Sequence, residues 1–179
     1  DGRGGADITL ENVRITPSAV LGTVGQAWVI MEQVADQAAA ALCAESLGAF
    51  ARVNELTLEY LKIREQFGQP IGKFQVLQHH MADMLIEYEN AQSLVYRSSM
   101  MADSDDAAMR GKAVSSTKVY LGERGHTSCQ SAIQMHGGIG MTAEYELGDF
   151  VKRMAVAEVM FGDVDHHLAR FGKLSYMSG

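Results

Sequence analysis

The part of the chain richest in groups that could do chemistry runs from Gln134 to Arg153, QMHGGIGMTAEYELGDFVKR. Glycines at 137, 138 and 140 let backbone N–H groups approach an anion closely, because no Cβ stands in the way. Glu144, Glu146 and Asp149 follow at once and are carboxylates of the kind a general base requires. Taken alone the glycines are a weak phosphate signal. GGIG lacks the Lys-Ser/Thr pair of a Walker A loop, does not satisfy GxGxxG, and follows a helical pattern rather than a strand. A tight interhelical turn with positive φ is the plainer reading of those residues by themselves.

Arg64 opens REQFGQPIGKFQVLQ. Its guanidinium has the shape to clamp a pyrophosphate through paired hydrogen bonds, and it would equally complement the dipole at a helix end. His136 precedes the glycines, His126 stands alone, and His79–His80 and His166–His167 form adjacent pairs. None shows the i, i+4 spacing with an acid that a zinc site wants, so they read as surface or helix-end histidines. Cys43 and Cys129 lack metal-ligand spacing and read as buried or free thiols in a reducing compartment.

These residues must be positioned by helices. From about Gln26 to Gln66 there is no proline, and Leu47, Phe50, Leu58 and Leu61 recur at near-helical spacing, which predicts one very long helix. Gly68 and Pro70 mark its stop. A second helix is predicted from about Gln75 to Ala102, with Leu77, Met81, Met84, Leu85, Tyr88, Ala91 and Val95 on one face. The acids of DSDD at 103–106 offer an N-cap to a third, reaching about Met135. After the glycines come a short helix and a fourth long one, about Met154 to Leu174, with Phe161, Val164, Leu168 and Phe171 on its stripe. The expected fold is all-α, an antiparallel four-helix bundle. The methionines at helical spacing read as core. Residues 6–13, ADITLENV, alternate as a half-buried strand does, and one strand cannot bury its own face. The chain therefore reads as a fragment: residues 1–24 the end of a β domain and linker, residues 25–179 the helical domain.

Of the 179 residues 47% are hydrophobic and 21% charged, ordinary for a globular domain. A formal net charge of -7 argues against a nucleic-acid or anionic-membrane binder. No apolar run reaches membrane-span length and no signal segment leads the chain, so a cytoplasmic protein is expected.

The blocks REQFGQPIGKFQVLQHHMADM and QMHGGIGMTAEYELGDFVKR, in this order on a helical chain, resemble the C-terminal bundle of the acyl-CoA dehydrogenase family. ITLENVRITPSAVLG resembles that family's last middle-domain strand and exit turn, so the likeness covers essentially the whole chain. The resemblance implies an FAD-dependent oxidoreductase that removes an α-proton and a β-hydride from an acyl-CoA thioester and passes electrons on, usually to an electron-transfer flavoprotein. It implies FAD held between subunits of a tetramer. Arg64 matches the pyrophosphate-binding arginine, and Phe67, Phe74 and Gln75 the contacts around it. Gln134, Gly137 and Gly138 match the QxxGG cofactor loop, and Phe150 to Lys152 a further FAD-touching stretch.

The catalytic half of the pattern departs. In the register of the family's EYPxE, read as ending on the base, this chain has Gly148. The alternative base location, an acid-Arg pair near the start of the first long helix, matches Ala38 and Ala39. Asp149 is one residue from Gly148, a turn of about 100° on a helix, and Asp36 offers a carboxylate from the other wall. Asp149 otherwise caps a helix start, and Asp36 otherwise lies on a solvated face. HGGIGMT, the non-Glu base position and LCAESLGAF together resemble small subunits of pimeloyl-CoA-type or steroid side-chain dehydrogenases, where two homologous chains form an α2β2 heterotetramer. A subunit without its own base is one expectation. A degenerate bundle that binds no flavin is the alternative.

Overall fold

Apolar spacing of the i, i+3, i+4 kind builds a helical molecule, and the computed structural model, which describes residues 4–176, contains six α-helices and one two-residue-per-strand hairpin. Helix α1 (Ala27–Ile63) is 37 residues long and central. Cys43, Leu47, Phe50, Val53, Thr57 and Leu61 lie on its buried face, and α2 to α5 all pack against it. Phe50 is fully buried, edge-on to Tyr88 with ring centroids 5.7 Å apart. The first turns of α1 are exposed, Trp28 at 73%. A hairpin follows, β1 (Glu65–Gln66) and β2 (Gln69–Pro70), paired Glu65 to Pro70 and Gln66 to Gln69. Helix α1 thus ends at Ile63, three residues before Gln66, and Phe67–Gly68 (φ 56° and 79°) turn the hairpin rather than stop the helix.

Helix α2 is Gln75–Met101, and α3 (Ala107–Tyr120) starts at the acidic segment. Asp106 caps it, its carboxylate accepting from the backbone N–H groups of Ala108 and Met109 at 2.9 Å each. A π-turn at Leu121–Gly125 joins α3 to α4 (His126–His136), so the predicted third helix is one rod with a wide turn in it. Helix α5 is Leu147–Val159 and α6 is Val164–Tyr176.

Three expectations change. The fourth long helix is broken between α5 and α6, where Phe161 and Gly162 take φ of 57° and 102°. The buried ammonium of Lys118 on α3 donates to the carbonyls of Ala157, Glu158 and Met160, which satisfies the end of α5 in place of another helical turn. Phe161 and Leu168 are exposed, and α6 instead buries His167 and packs on α3. Residues 6–13 form no strand: with no sheet beside them their backbone groups have no ladder to join, and Ile8, Leu10 and Val13 are exposed. Methionines divide between core (Met84, Met135, Met154) and surface (Met31, Met100, Met141).

Candidate functional site

The end of α1 and the end of α4 meet. Arg64 caps α1, its N–H donating to the Tyr60 carbonyl at 2.8 Å, while its own carbonyl accepts from Ile71 at 2.8 Å and closes the hairpin. One turn back, the Tyr60 ring stacks on His136, the last residue of α4, with centroids 4.5 Å apart and planes 25° apart. Tyr145 leans on both rings, at 6.4 Å from Tyr60 and 5.1 Å from His136. This aromatic knot places Arg64 and the glycine loop, far apart in sequence, at one end of the bundle.

The next residue after His136 is Gly137, at φ 64° and ψ -140°, a conformation that side chains other than hydrogen rarely adopt. A Cβ built on Gly137 or Gly138 meets nothing within 4 Å, so this backbone is open to a ligand. His136 is buried; its Nδ1–H donates to the Ala132 carbonyl at 2.8 Å and its Nε2 is buried without a hydrogen bond. Burial holds the imidazole below its ordinary pKa, against the pull of the Ala132 and Leu56 carbonyls. Across the hairpin Phe67 is 91% exposed at positive φ, its ring edge-on to Phe74 at 6.0 Å. The positive φ of Phe67 is that of the hairpin turn, and the turn holds its ring out from the bundle. Gln75 and Gln134 are exposed nearby at the start of α2 and in the last turns of α4.

Helix α5 is anchored by fully buried Leu147. Gly148 sits in its first turn, where an added Cβ would lie 3.9 Å from the Thr142 carbonyl oxygen and from Lys152 Cε. Asp149 is exposed and pairs with Lys152 at 2.9 Å, Glu146 pairs with Arg52 at 2.8 Å, and Phe150 packs against the core.

A separate cavity of about 250 Å³ lies near the other end of α1, between that helix and α6. Trp28, Met31, Ala35, Ala39 and Phe161 make its apolar lining, and Glu32, Asp36, His166, His167 and Arg170 its polar one. Asp36 is not on a solvated face. It is 2% exposed and accepts from Arg110 Nε at 3.1 Å and from Arg170 Nη1 and Nη2 at 2.5 and 3.0 Å. Arg110 also donates to the Ser104 carbonyl at 2.6 Å, and Arg170 to Glu32 at 3.4 Å. Neither Gly148 nor Asp149 lines this cavity. Ala39 does, while Ala38 is half-buried beside it.

His167, 2% exposed inside α6, departs from the surface or helix-end reading, while His136 stands at a helix end as expected but is buried at 3%. Sequence reasoning also missed Arg110, Arg170 and Glu32. A lone acid inside the alanine run VADQAAAA was the available signal, since a carboxylate on an apolar face requires buried cationic partners.

Residues 25–173 match the family model of the acyl-CoA dehydrogenase C-terminal domain. The chain belongs to the acyl-CoA dehydrogenase family. Among curated relatives, acyl-CoA dehydrogenase IpdE2 of Mycolicibacterium smegmatis is 34% identical over 137 residues, covering 76% of this chain and 42% of IpdE2. Among solved structures, a variant of the Tcur3481-Tcur3483 steroid ACAD superposes with TM-score 0.75 and 31% identity, over 80% of this chain and 39% of that one. PigA, solved with FAD and proline, superposes with TM-score 0.70 and 30% identity, over 79% of this chain and 37% of its own. The chain thus spans about two-fifths the length of these relatives. Among the described residues no helix is long and apolar enough to cross a membrane.

Proposed function

We propose that this domain holds FAD at a subunit interface of an acyl-CoA dehydrogenase that introduces an α,β double bond into an acyl-CoA thioester. The observation that carries the reading is the Tyr60–His136 stack, which brings the end of α1, where Arg64 stands, to the end of α4, where the open Gly137–Gly138 backbone begins. The residues fit the cofactor: a guanidinium and open N–H groups for a pyrophosphate, amides at Gln75 and Gln134, a cation at Lys152, and the Phe67–Phe74 pair as an apolar surface. PigA, similar over most of this chain, binds FAD. Bound there, FAD supplies the hydride acceptor. The match of residues 25–173 to the acyl-CoA dehydrogenase C-terminal domain counts against a bundle with no flavin role.

The acyl group is assigned to the α1–α6 cavity. Asp36 is a poor base, because two guanidiniums already donate three hydrogen bonds to its oxygens. Asp149 is outside the cavity and ion-paired. This chain accordingly works with homologous subunits, one of which supplies the base, and hands electrons to an electron-transfer flavoprotein or a similar acceptor. One observation favours a second reading: Glu32 lines the cavity and meets Arg170 only at 3.4 Å, so it has oxygens to spare. Cys43 and Cys129, their thiols pushed up to about 12 by burial, suit a reducing cytoplasm.

The test is the visible spectrum of the full-length protein, made alone and with a homologous chain. A flavin spectrum that acyl-CoA bleaches is expected in at least one preparation, and none in either would contradict the proposal. Glu32→Gln separates the readings, abolishing bleaching only if Glu32 is the base. Gly148→Glu should fold, given the room around that position, and leave bleaching unchanged. A gain of bleaching would move the acyl site to the start of α5.

A further inference from the structure

We propose that Phe161 is a specificity-determining wall of the α1–α6 cavity and that His167 is the residue that positions it. The inference rests on the reading above in one respect, that the acyl group enters this cavity.

The corner between α5 and α6 takes two consecutive left-handed residues, Phe161 and Gly162. Gly162 is needed there: its φ is 102° and a Cβ on it would lie 2.5 Å from His166 Cδ2. Phe161 is not. A second glycine or an asparagine would make the same turn with less strain, yet a large ring occupies it and lines the cavity.

The corner is held from beneath by buried groups. Lys118 Nζ donates to the carbonyls of Ala157, Glu158 and Met160 at 2.7, 2.8 and 2.8 Å. His167 Nε2–H donates to the Phe161 carbonyl at 3.0 Å, and its Nδ1 accepts from the Ser115 hydroxyl at 3.1 Å. The Asp163 carboxylate accepts from the His166 N–H at 2.9 Å and caps α6. His167 therefore grips the very peptide that orients the Phe161 ring. Arg170, one turn further along the same helix, grips Asp36 on the opposite wall. One face of α6 sets both walls, and the spacing between them fixes how large a group is admitted.

Two measurements test this. In the full-length assembly, Phe161→Ala is expected to raise kcat/KM for acyl-CoAs longer or broader by one or two methylenes, relative to the best wild-type substrate, by roughly tenfold. His167→Ala is expected to do the same in direction with the ring still present, and His167→Gln, whose amide N–H reaches the same carbonyl, to restore the wild-type preference. Ser115→Ala gives a milder version should His167→Ala not fold. Independently of turnover, the Gly162 amide shares its peptide group with the Phe161 carbonyl. In a [15N]glycine-labelled sample of this chain its resonance is expected to move in His167→Ala and return in His167→Gln. A histidine that served stability alone would lower the melting temperature and leave substrate preference unchanged. That result, or a Gly162 resonance that stays put in folded His167→Ala, overturns the proposal. If no assembly processes acyl-CoA the wall assignment falls with the acyl reading, while the Gly162 resonance still decides whether His167 holds the corner.

Discussion

Asp36 shows how far a single residue's role depends on groups remote in sequence. Its oxygens are shared by Arg110 on α3 and Arg170 on α6, so one buried carboxylate ties three helices together. Removing the carboxylate leaves two guanidiniums without the anion they share, so Asp36→Asn is expected to cost about 3–5 kcal/mol in urea unfolding, far more than a surface acid. His167 gives a pH dependence. Burial, then the cations Lys118, His166 and Arg170, lower its pKa from 6.5 to about 4, against the pull of the Phe161 carbonyl. The unfolded chain therefore binds a proton between pH 6.5 and about 4 that the folded chain refuses. Stability from this residue is complete above pH 6.5 and is lost as pH falls toward 4, on the order of 3 kcal/mol. Buried His136 adds a loss of the same sign. His167→Gln should flatten the acid limb of a stability-versus-pH curve. An unchanged limb would show that the imidazole is not held neutral. Neither role was legible in the sequence, because pairing across helices leaves no local pattern.

Helices were read where the signal is local. Asp106 precedes a helical run and its carboxylate meets two N–H groups, so Asp106→Ala is expected to cost about 1 kcal/mol, read as a lower midpoint in denaturant. The apolar spacing of α1 and α2 likewise predicted their extents to within a few residues. The break between α5 and α6 escaped, because Phe161, Val164, Leu168 and Phe171 continue a helical stripe on paper. What ends α5 is Lys118, a cation from another helix, and replacing it with Met would leave three carbonyls unsatisfied. The segment at 6–13 shows the converse. Its alternation is a correct local strand pattern, but a strand exists only when another pairs with it, and among the described residues nothing does.

At the scale of the whole molecule, the two proposed sites lie at two ends of one long helix. Arg64 terminates α1 beside the glycine loop, and the Trp28 to Ala39 turns face the cavity with Phe161. The proposed cofactor end is readable from sequence because its residues sit in two contiguous motifs. The cavity is not, because Glu32, Asp36, Phe161 and Arg170 come together only when α6 folds back on α1 and α3. Arg64 and the glycine loop are proposed to act as one FAD-holding surface. The most direct measurement is FAD retained per subunit after gel filtration of the full-length assembly, wild type against Arg64→Met and Gly137→Ala, with folding checked by circular dichroism. Stoichiometric flavin is expected in the wild type, and at least tenfold weaker retention in each variant with helical content intact. Full retention by both folded variants would contradict the proposal.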